Sequence, residues 1–231
     1  MTFISKRHFL ERKYTIPLLA LFSVFFSSPL IERFPVLYPV PVFLIMTIVL
    51  TLLRVQRIDK RLFLLASLCA LISFSLETYW RHTHGYNLKA MPAQVAVLMF
   101  LPAMSFYALA IFSTLSRVFT EKRVTSDTVW GGIFVYFLIG ILWSRFFHLA
   151  VILDSSAFKP PLIAGDIFQI FYFSMVTLTT VGYGDIAPSS HTTMILSVLE
   201  AAAGQIYLAV FVARLIGLEI NQRTSKETFK K

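Results

Sequence analysis

MVTLTTVGYGDIAP, running from Met175 to Pro188, places two glycines, a tyrosine and an aspartate between two long apolar segments. Its surroundings are those of a membrane protein: 57% of the 231 residues are hydrophobic, 23 are Phe, and only 14% are charged. An ordinary soluble domain has about a quarter of its residues charged. Lipid does not tolerate irregular backbone unless something else satisfies its polar groups, so this stretch needs a reason to be there.

The net charge of +9 would point to nucleic acid in a soluble protein. Here the basic residues punctuate apolar spans, so membrane topology accounts for them and no nucleic-acid partner is expected. Cys69 lies inside an apolar span and reads as a small buried hydrophobe, with no disulfide or metal cluster implied. Six spans are expected, over 16–31, 35–54, 61–80, 90–117, 128–153 and 191–217. The first reads as a retained span rather than a cleaved leader, because no A-x-A site follows it and Pro29 falls where cleavage would occur. Pro35, Pro39 and Pro41 predict irregular first turns for the second span. The apolar segment 166–178 is too short to cross, reaching only ~20 Å at 1.5 Å per residue; it reads as a re-entrant half-helix. No internal repeat or low-complexity region is visible.

Lysine and arginine set the expected orientation. One set of loops carries Lys6, Arg7, Arg12 and Lys13, then Arg54, Arg57, Lys60 and Arg61, then Arg117, Lys122 and Arg123, then Arg223, Lys226, Lys230 and Lys231. The opposite loops hold only Arg33, Arg81, Lys89 and Lys159. This asymmetry predicts both termini in the cytoplasm and the 154–190 loop outside.

A short helix dipping into the membrane, followed by TTVGYGD at 179–185, resembles the pore loop of the potassium-channel family. The resemblance covers about 128–217 as outer helix, pore helix, filter and inner helix, and the signature is matched without a substitution. It implies that backbone carbonyls of four such loops form rings replacing the hydration shell of K⁺, with Thr180, Val181, Gly182, Tyr183 and Gly184 as the filter and the first four as K⁺ ligands. Gly182 and Gly184 permit backbone conformations that L-residues avoid. Thr180 can add its hydroxyl at the inner end. Val181 and Tyr183 are expected to point away from the axis, with Tyr172 and Phe173 in an aromatic cuff around the Tyr183 hydroxyl. Asp185 would sit at the outer mouth, where a carboxylate concentrates cations. Because Tyr183 is present, K⁺ over Na⁺ is what the resemblance implies.

The segment before the filter reads as a helix capped by Asp166, with Gln169 as a capping-box-like partner. It ends at about Leu178, so Thr179 closes it and its negative dipole end faces the membrane centre. Val176 is the expected position facing Asp185, and being Val it offers no carboxyl–carboxylate bond. In the inner helix, Gly204 lies 19 residues after Asp185, where the family often has a gating-hinge glycine; close helix packing is the other reading. Arg145 and Glu200 are charges ~13 Å below the outer surface. Such charges pair or face water, so an Arg145–Glu200 ion pair bracing outer against inner helix is expected. The alternative sends Arg145 to the headgroups and has Glu200 hydrogen-bond the pore helix in its protonated form.

A voltage sensor would need arginines at every third residue of the fourth span, and that span has none before Arg117. Arg54, Arg57 and Lys60 are spaced three apart but lie between spans two and three beside Asp59. His82, His84, His148 and His191 read as solvated outer-face residues, since two histidines alone make an incomplete metal site. Arg117–Arg123 reads as a solvated linker coupling the front helices to the pore.

The expected fold is therefore an all-α membrane protein of six transmembrane helices plus a re-entrant pore helix and filter loop. It divides into a four-helix region without sensor charges (1–123), a pore domain (124–218) and a short cytoplasmic tail (219–231). The expected function is passive, non-voltage-gated K⁺ conduction through a homotetrameric pore in the cell membrane, surrounded by lipid. K⁺ is the permeant ion, no cofactor is expected, and no catalytic arrangement is visible. A weakly selective cation channel, and a membrane sensor or scaffold with a structural pore loop, are the alternatives.

Overall fold

The apolar runs fold into helices whose ends follow local sequence signals. The computed structural model describes residues 14–27, 33–34, 37, 39–85, 91–121, 123–163 and 166–228. Its helices are α1 (Thr15–Phe26), α2 (Pro39–Val55), α3 (Lys60–His84), α4 (Ala93–Thr120), α5 (Ser126–Leu153), α6 (Ile167–Leu178) and α7 (His191–Thr228). Two short strands, β1 (Phe158–Lys159) and β2 (Ala187–Pro188), pair antiparallel on either side of α6 in sequence. Helix α5 opens in a reciprocal cap: Thr125 Oγ1 accepts from the Thr128 N–H and Thr128 Oγ1 accepts from the Thr125 N–H. Helix α2 begins on Pro39, a residue whose fixed φ suits the first helical turn.

Helices α3, α4, α5 and residues His191–Gln222 of α7 are long and apolar enough to cross a membrane. The six expected spans are matched more coarsely than this. Helix α1 has 12 residues and α2 has 17, so α1 reaches only ~18 Å. The remainder of the expected first span, from 28 onward, lies outside the described residues, as do the basic residues before Tyr14, Lys89, Lys122, Lys230 and Lys231. The inner helix continues to Thr228, past the expected end at 217, because Glu, Gln, Arg and Lys in that stretch favour helix.

Helix α5 sits at the centre. Its Phe134, Val135 and Leu138 are fully buried in a core with Phe106, Tyr107 and Ala110 of α4, Leu18 and Leu21 of α1, and Tyr207 and Phe211 of α7, while its Phe147 is buried in a second core with Phe100 and Met104 of α4. Polar contacts join the front helices to α5 and α7. The Tyr14 N–H donates to Asp127 Oδ1 at 3.0 Å, and Arg214 Nη2 on α7 donates to the Phe119 carbonyl at 2.7 Å and the Glu121 carbonyl at 3.4 Å. The expected linker after Arg117 is thus held by the inner helix.

The buried charges are arranged differently from the sequence expectation. Arg145 pairs with Glu77 of α3, Nη1 to Oε2 at 3.7 Å, and Arg81 Nη2 reaches the other oxygen of Glu77 at 3.3 Å. All three are at most 7% exposed. The expected Arg145–Glu200 pair is not formed. Arg145 lies on the face of α5 toward α3 and α4, with its guanidinium 6.0 Å from the Tyr107 ring centre, whereas Glu200 points from α7 to the pore helix. The outer helix is therefore braced against the front helices. Arg54, Arg57 and Lys60 occupy the last turn of α2, the turn after it and the first residue of α3, all exposed. Of the histidines, His82, His84 and His191 are exposed, but His148 is buried on α5 with its ring edge-on to Phe100 at 4.8 Å. Among the described residues no cluster of three or more His, Cys, Asp or Glu could hold a metal ion.

A double-mutant cycle on thermal unfolding in detergent should give Glu77→Gln and Arg145→Gln a coupling of ~0.5–3 kcal/mol. The same cycle between Arg145→Gln and Glu200→Gln should give a coupling near zero. The reverse ranking would restore the brace between outer and inner helices.

Candidate functional site

The short helix α6 is built as its sequence predicts at its start and differently at its flank. Asp166 is the N-cap, its Oδ1 accepting from the Phe168 and Gln169 N–H groups at 3.0 Å each. Gln169 does not close a capping box. Its Oε1 accepts from the Ile163 N–H at 3.2 Å instead, drawing the incoming chain onto the helix. Ile170, Phe173, Ser174 and Leu178 form the buried face of α6. Phe173 is not part of a cuff around Tyr183. Its ring packs edge-on to Phe147 at 5.0 Å and Phe158 at 4.8 Å, anchoring α6 to α5 and β1. Thr179 caps the far end, its N–H and Oγ1 both donating to the Met175 carbonyl.

The chain leaves α6 in a conformation that helices and strands do not use. Thr180, Gly182 and Gly184 have φ of 59°, 57° and 78°, so every second residue from 180 to 184 is left-handed. For the glycines this costs little, whereas Thr180 is a β-branched residue held where such residues are rare. Alternating hands turn successive N–H groups to one side of the chain. The hydrogen bonds follow that rule: the N–H groups of Val181 and Gly182 both reach the Val176 carbonyl, at 3.0 and 3.3 Å. The carbonyl oxygens of Thr180, Val181, Gly182 and Tyr183 accept no hydrogen bond among the described residues. Val176 thus supports the loop through its backbone.

The position facing Asp185 is Tyr172, one turn earlier than expected, because the longer side chain reaches over. Its hydroxyl donates to Asp185 Oδ2 at 2.7 Å. The Tyr172 hydroxyl is therefore committed to the carboxylate and not to Tyr183, which is 72% exposed in the single chain. Beyond Asp185, β2 pairs with β1, the Ser189 N–H and Thr193 Oγ1 donate to the Ala157 carbonyl at 2.9 and 2.8 Å, and Ser189 Oγ donates to the Ser156 carbonyl. This strap joins the outer ends of the loop, α5 and α7. Asp154, where α5 ends, accepts from the Ser156 N–H and Oγ, which holds its carboxyl below the usual carboxylate range.

The inner helix supports the loop from below, and several of these residues were not read from the sequence. A Cβ on Gly204 would lie 2.2 Å from the Leu178 carbonyl oxygen, so α7 crosses the end of α6 at backbone contact. The same carbonyl accepts from the Tyr136 hydroxyl at 3.1 Å. Gln205 Nε2 donates to Thr180 Oγ1 at 3.2 Å. Glu200 Oε1 lies 2.5 Å from Ser174 Oγ. A polar residue in an otherwise apolar span is a functional pointer by default, and that signal was present for Gln205 and Ser174. Tyr136 carried no comparable signal among so many aromatics.

Gly204→Ala should lower the unfolding midpoint of the assembled protein, equivalent to ~1–3 kcal/mol, because the obstacle is backbone and α7 must move away from α6. An unchanged midpoint would leave bending as the only reason for glycine at this position.

Residues 146–219 match the ion-channel family. Among curated proteins, the chain is 48% identical over 46 residues to two-pore potassium channel 4 of Arabidopsis thaliana, which covers 20% of this chain and 16% of that protein. It is 32% identical over 99 residues to two pore potassium channel a of Oryza sativa subsp. japonica, covering 43% of this chain and 26% of that protein. The chain thus spans about a quarter of the length, or less, of the relatives it matches. No solved structure matches. Residues 146–219, which hold the end of α5, α6, the loop and most of α7, are thus similar to an ion-channel family, and parts of the chain are similar to plant two-pore potassium channels.

Proposed function

We propose that this protein is a K⁺-selective channel that conducts passively through a pore built from four copies of the chain. The observation that carries the reading is the backbone of 180–184: the N–H groups of Thr180, Val181 and Gly182 bond to α6, while the carbonyls of 180–183 accept no hydrogen bond among the described residues. Unpaired carbonyls at membrane depth are costly unless an ion takes the place of a donor. Rings of such carbonyls can replace the hydration shell of K⁺. One chain carries one TVGYG sequence, so closing a ring requires further copies, and four is the number that the family's filter geometry implies. The exposed apolar residues of α7, among them Val198, Ile206 and Val210, suit contact with neighbouring copies and with the ion pathway. Asp185, steadied by Tyr172, would attract cations to the outer mouth. The C-terminal end of α6 would favour a cation below the filter.

On this reading α1 and α2 complete six spans, both termini are cytoplasmic, and the protein resides in the cell membrane. The pore domain is 124–218, and 1–123 is a front region without voltage sensing. Supporting the last point, α4 carries no basic residue before Arg117 in its final turn. Gly204 would serve packing first, with any bending superimposed.

Purified protein in a planar bilayer, with K⁺ on one side and Na⁺ on the other, should reverse near the K⁺ equilibrium potential, and Gly182→Asp should abolish the current. Open probability should vary little with voltage. A reversal potential near zero would replace the proposal with a weakly selective cation channel. Absence of current from intact tetramers under every applied condition would favour a structural role for the loop.

A further inference from the structure

Glu200 is the buried carboxyl that no ion pair explains. It is 0% exposed, in the first third of a helix long and apolar enough to cross a membrane. Among the described residues, its only hydrogen-bond contact is Ser174 Oγ, at 2.5 Å from Oε1, and Oε2 has none. Ser174 is also 0% exposed, and its Oγ lies 2.8 Å from the Gly140 carbonyl oxygen. A hydroxyl has one proton to give. A carbonyl only accepts, so the Ser174 proton goes to Gly140. The contact to Glu200 then needs a proton from the other side. If Glu200 were ionised, Ser174 would have to serve the carboxylate. A carbonyl and a hydroxyl oxygen would then face each other at 2.8 Å with no proton between them, and a buried anion would rest on a single hydrogen bond. Both situations are strongly disfavoured.

We infer that Glu200 is a neutral carboxylic acid that donates to Ser174, which donates to Gly140, making one chain of hydrogen bonds from α7 through α6 to α5. The proton order is directional: carboxyl to hydroxyl to carbonyl. Glu200 is thus a positioning residue for the pore helix. It acts on the loop through α6, since Val176, which holds the loop N–H groups, lies two residues beyond Ser174. Gly204 and Gln205, one turn along α7, meet the Leu178 carbonyl and Thr180 Oγ1, so one stretch of the inner helix touches the pore helix and the start of the loop together. This bracket deepens the proposed channel reading, but its protonation can be tested without it.

Full-length protein in lipid nanodiscs at neutral pH should show an infrared carbonyl band of a protonated carboxylic acid that is missing from Glu200→Gln. An amide can donate the same hydrogen bond, so Glu200→Gln should assemble like wild type and keep its K⁺ over Na⁺ permeability ratio within about twofold. Glu200→Ala and Ser174→Ala should each shorten the lifetime of the assembled protein in detergent by about tenfold, the effect of leaving one buried polar group unsatisfied. No acid band in wild type, a band retained in Glu200→Gln, or failure of Glu200→Gln to assemble would each overturn the inference. If the band behaves as expected while wild type shows no selective flux, the bracket stands and the proposed function falls.

Discussion

Two N–H groups on one carbonyl fix the site. The Val176 oxygen receives both Val181 and Gly182, and that convergence is possible only because α6 stops at Leu178 inside the protein and the next residues alternate in hand. A helix long enough to cross would have consumed these groups internally. A strand would have turned them to opposite sides. The short helix leaves its last carbonyls open, and the loop uses them for its donors while its own acceptors remain available. Everything around this contact keeps α6 from shifting, since a displacement of an ångström would separate the loop from its support.

Three kinds of restraint serve that end. At the outer side, β1 and β2 with the Ala157 carbonyl as a shared acceptor clamp the loop's exit to the end of α5. Behind the helix, Phe173, Phe147 and Phe158 interlock edge-on, a geometry that suits the ring quadrupoles. Below, Gly204 lets α7 touch the Leu178 carbonyl. The charged brace lies on the opposite face of α5, where Glu77 is shared by Arg81 and Arg145. Removing one partner of such a buried group leaves an uncompensated charge and costs far more than the pair contributes. The front helices are thereby tied to the outer helix near its buried middle as well as at the ends.

The all-helical class, the four long apolar helices, the short helix with its Asp166 cap and the loop that follows it were legible in the sequence, because hydropathy length and glycine placement are local signals. It did not reveal which faces meet. Arg145 and Glu200 lie at similar depth on neighbouring helices, and depth alone made them partners. The rotation of α5, set by the packing of Phe134, Leu138 and Phe147, turned Arg145 toward α3 instead. Tyr172 and Phe173 are adjacent in sequence and were read as one cuff, yet on a helix they point about 100° apart, one to Asp185 and one to the core. The strap of β1 and β2 went unnoticed because two-residue strands carry no periodicity. Helix α1 illustrates the limit of hydropathy: an apolar run was visible, but not how much of it is helical.

The distribution of exposure follows from a site that faces outward. Tyr183 and Val181 stand 72% and 53% exposed on the single chain, and α7 has a long apolar exposed face, while α5 is the most buried of the crossing helices. Large apolar side chains are left open in this way where another protein surface or lipid covers them. On α3, Leu64, Leu68 and Leu71 are exposed far from the loop, where lipid is the natural cover. On α7 and the loop, exposed apolar groups such as Val198, Val181 and Tyr183 occur together with carbonyls that accept no hydrogen bond among the described residues, and lipid cannot satisfy those. On the proposed reading, further copies of the loop about a common axis, with a cation between them, would supply cover and electrostatic partners at once.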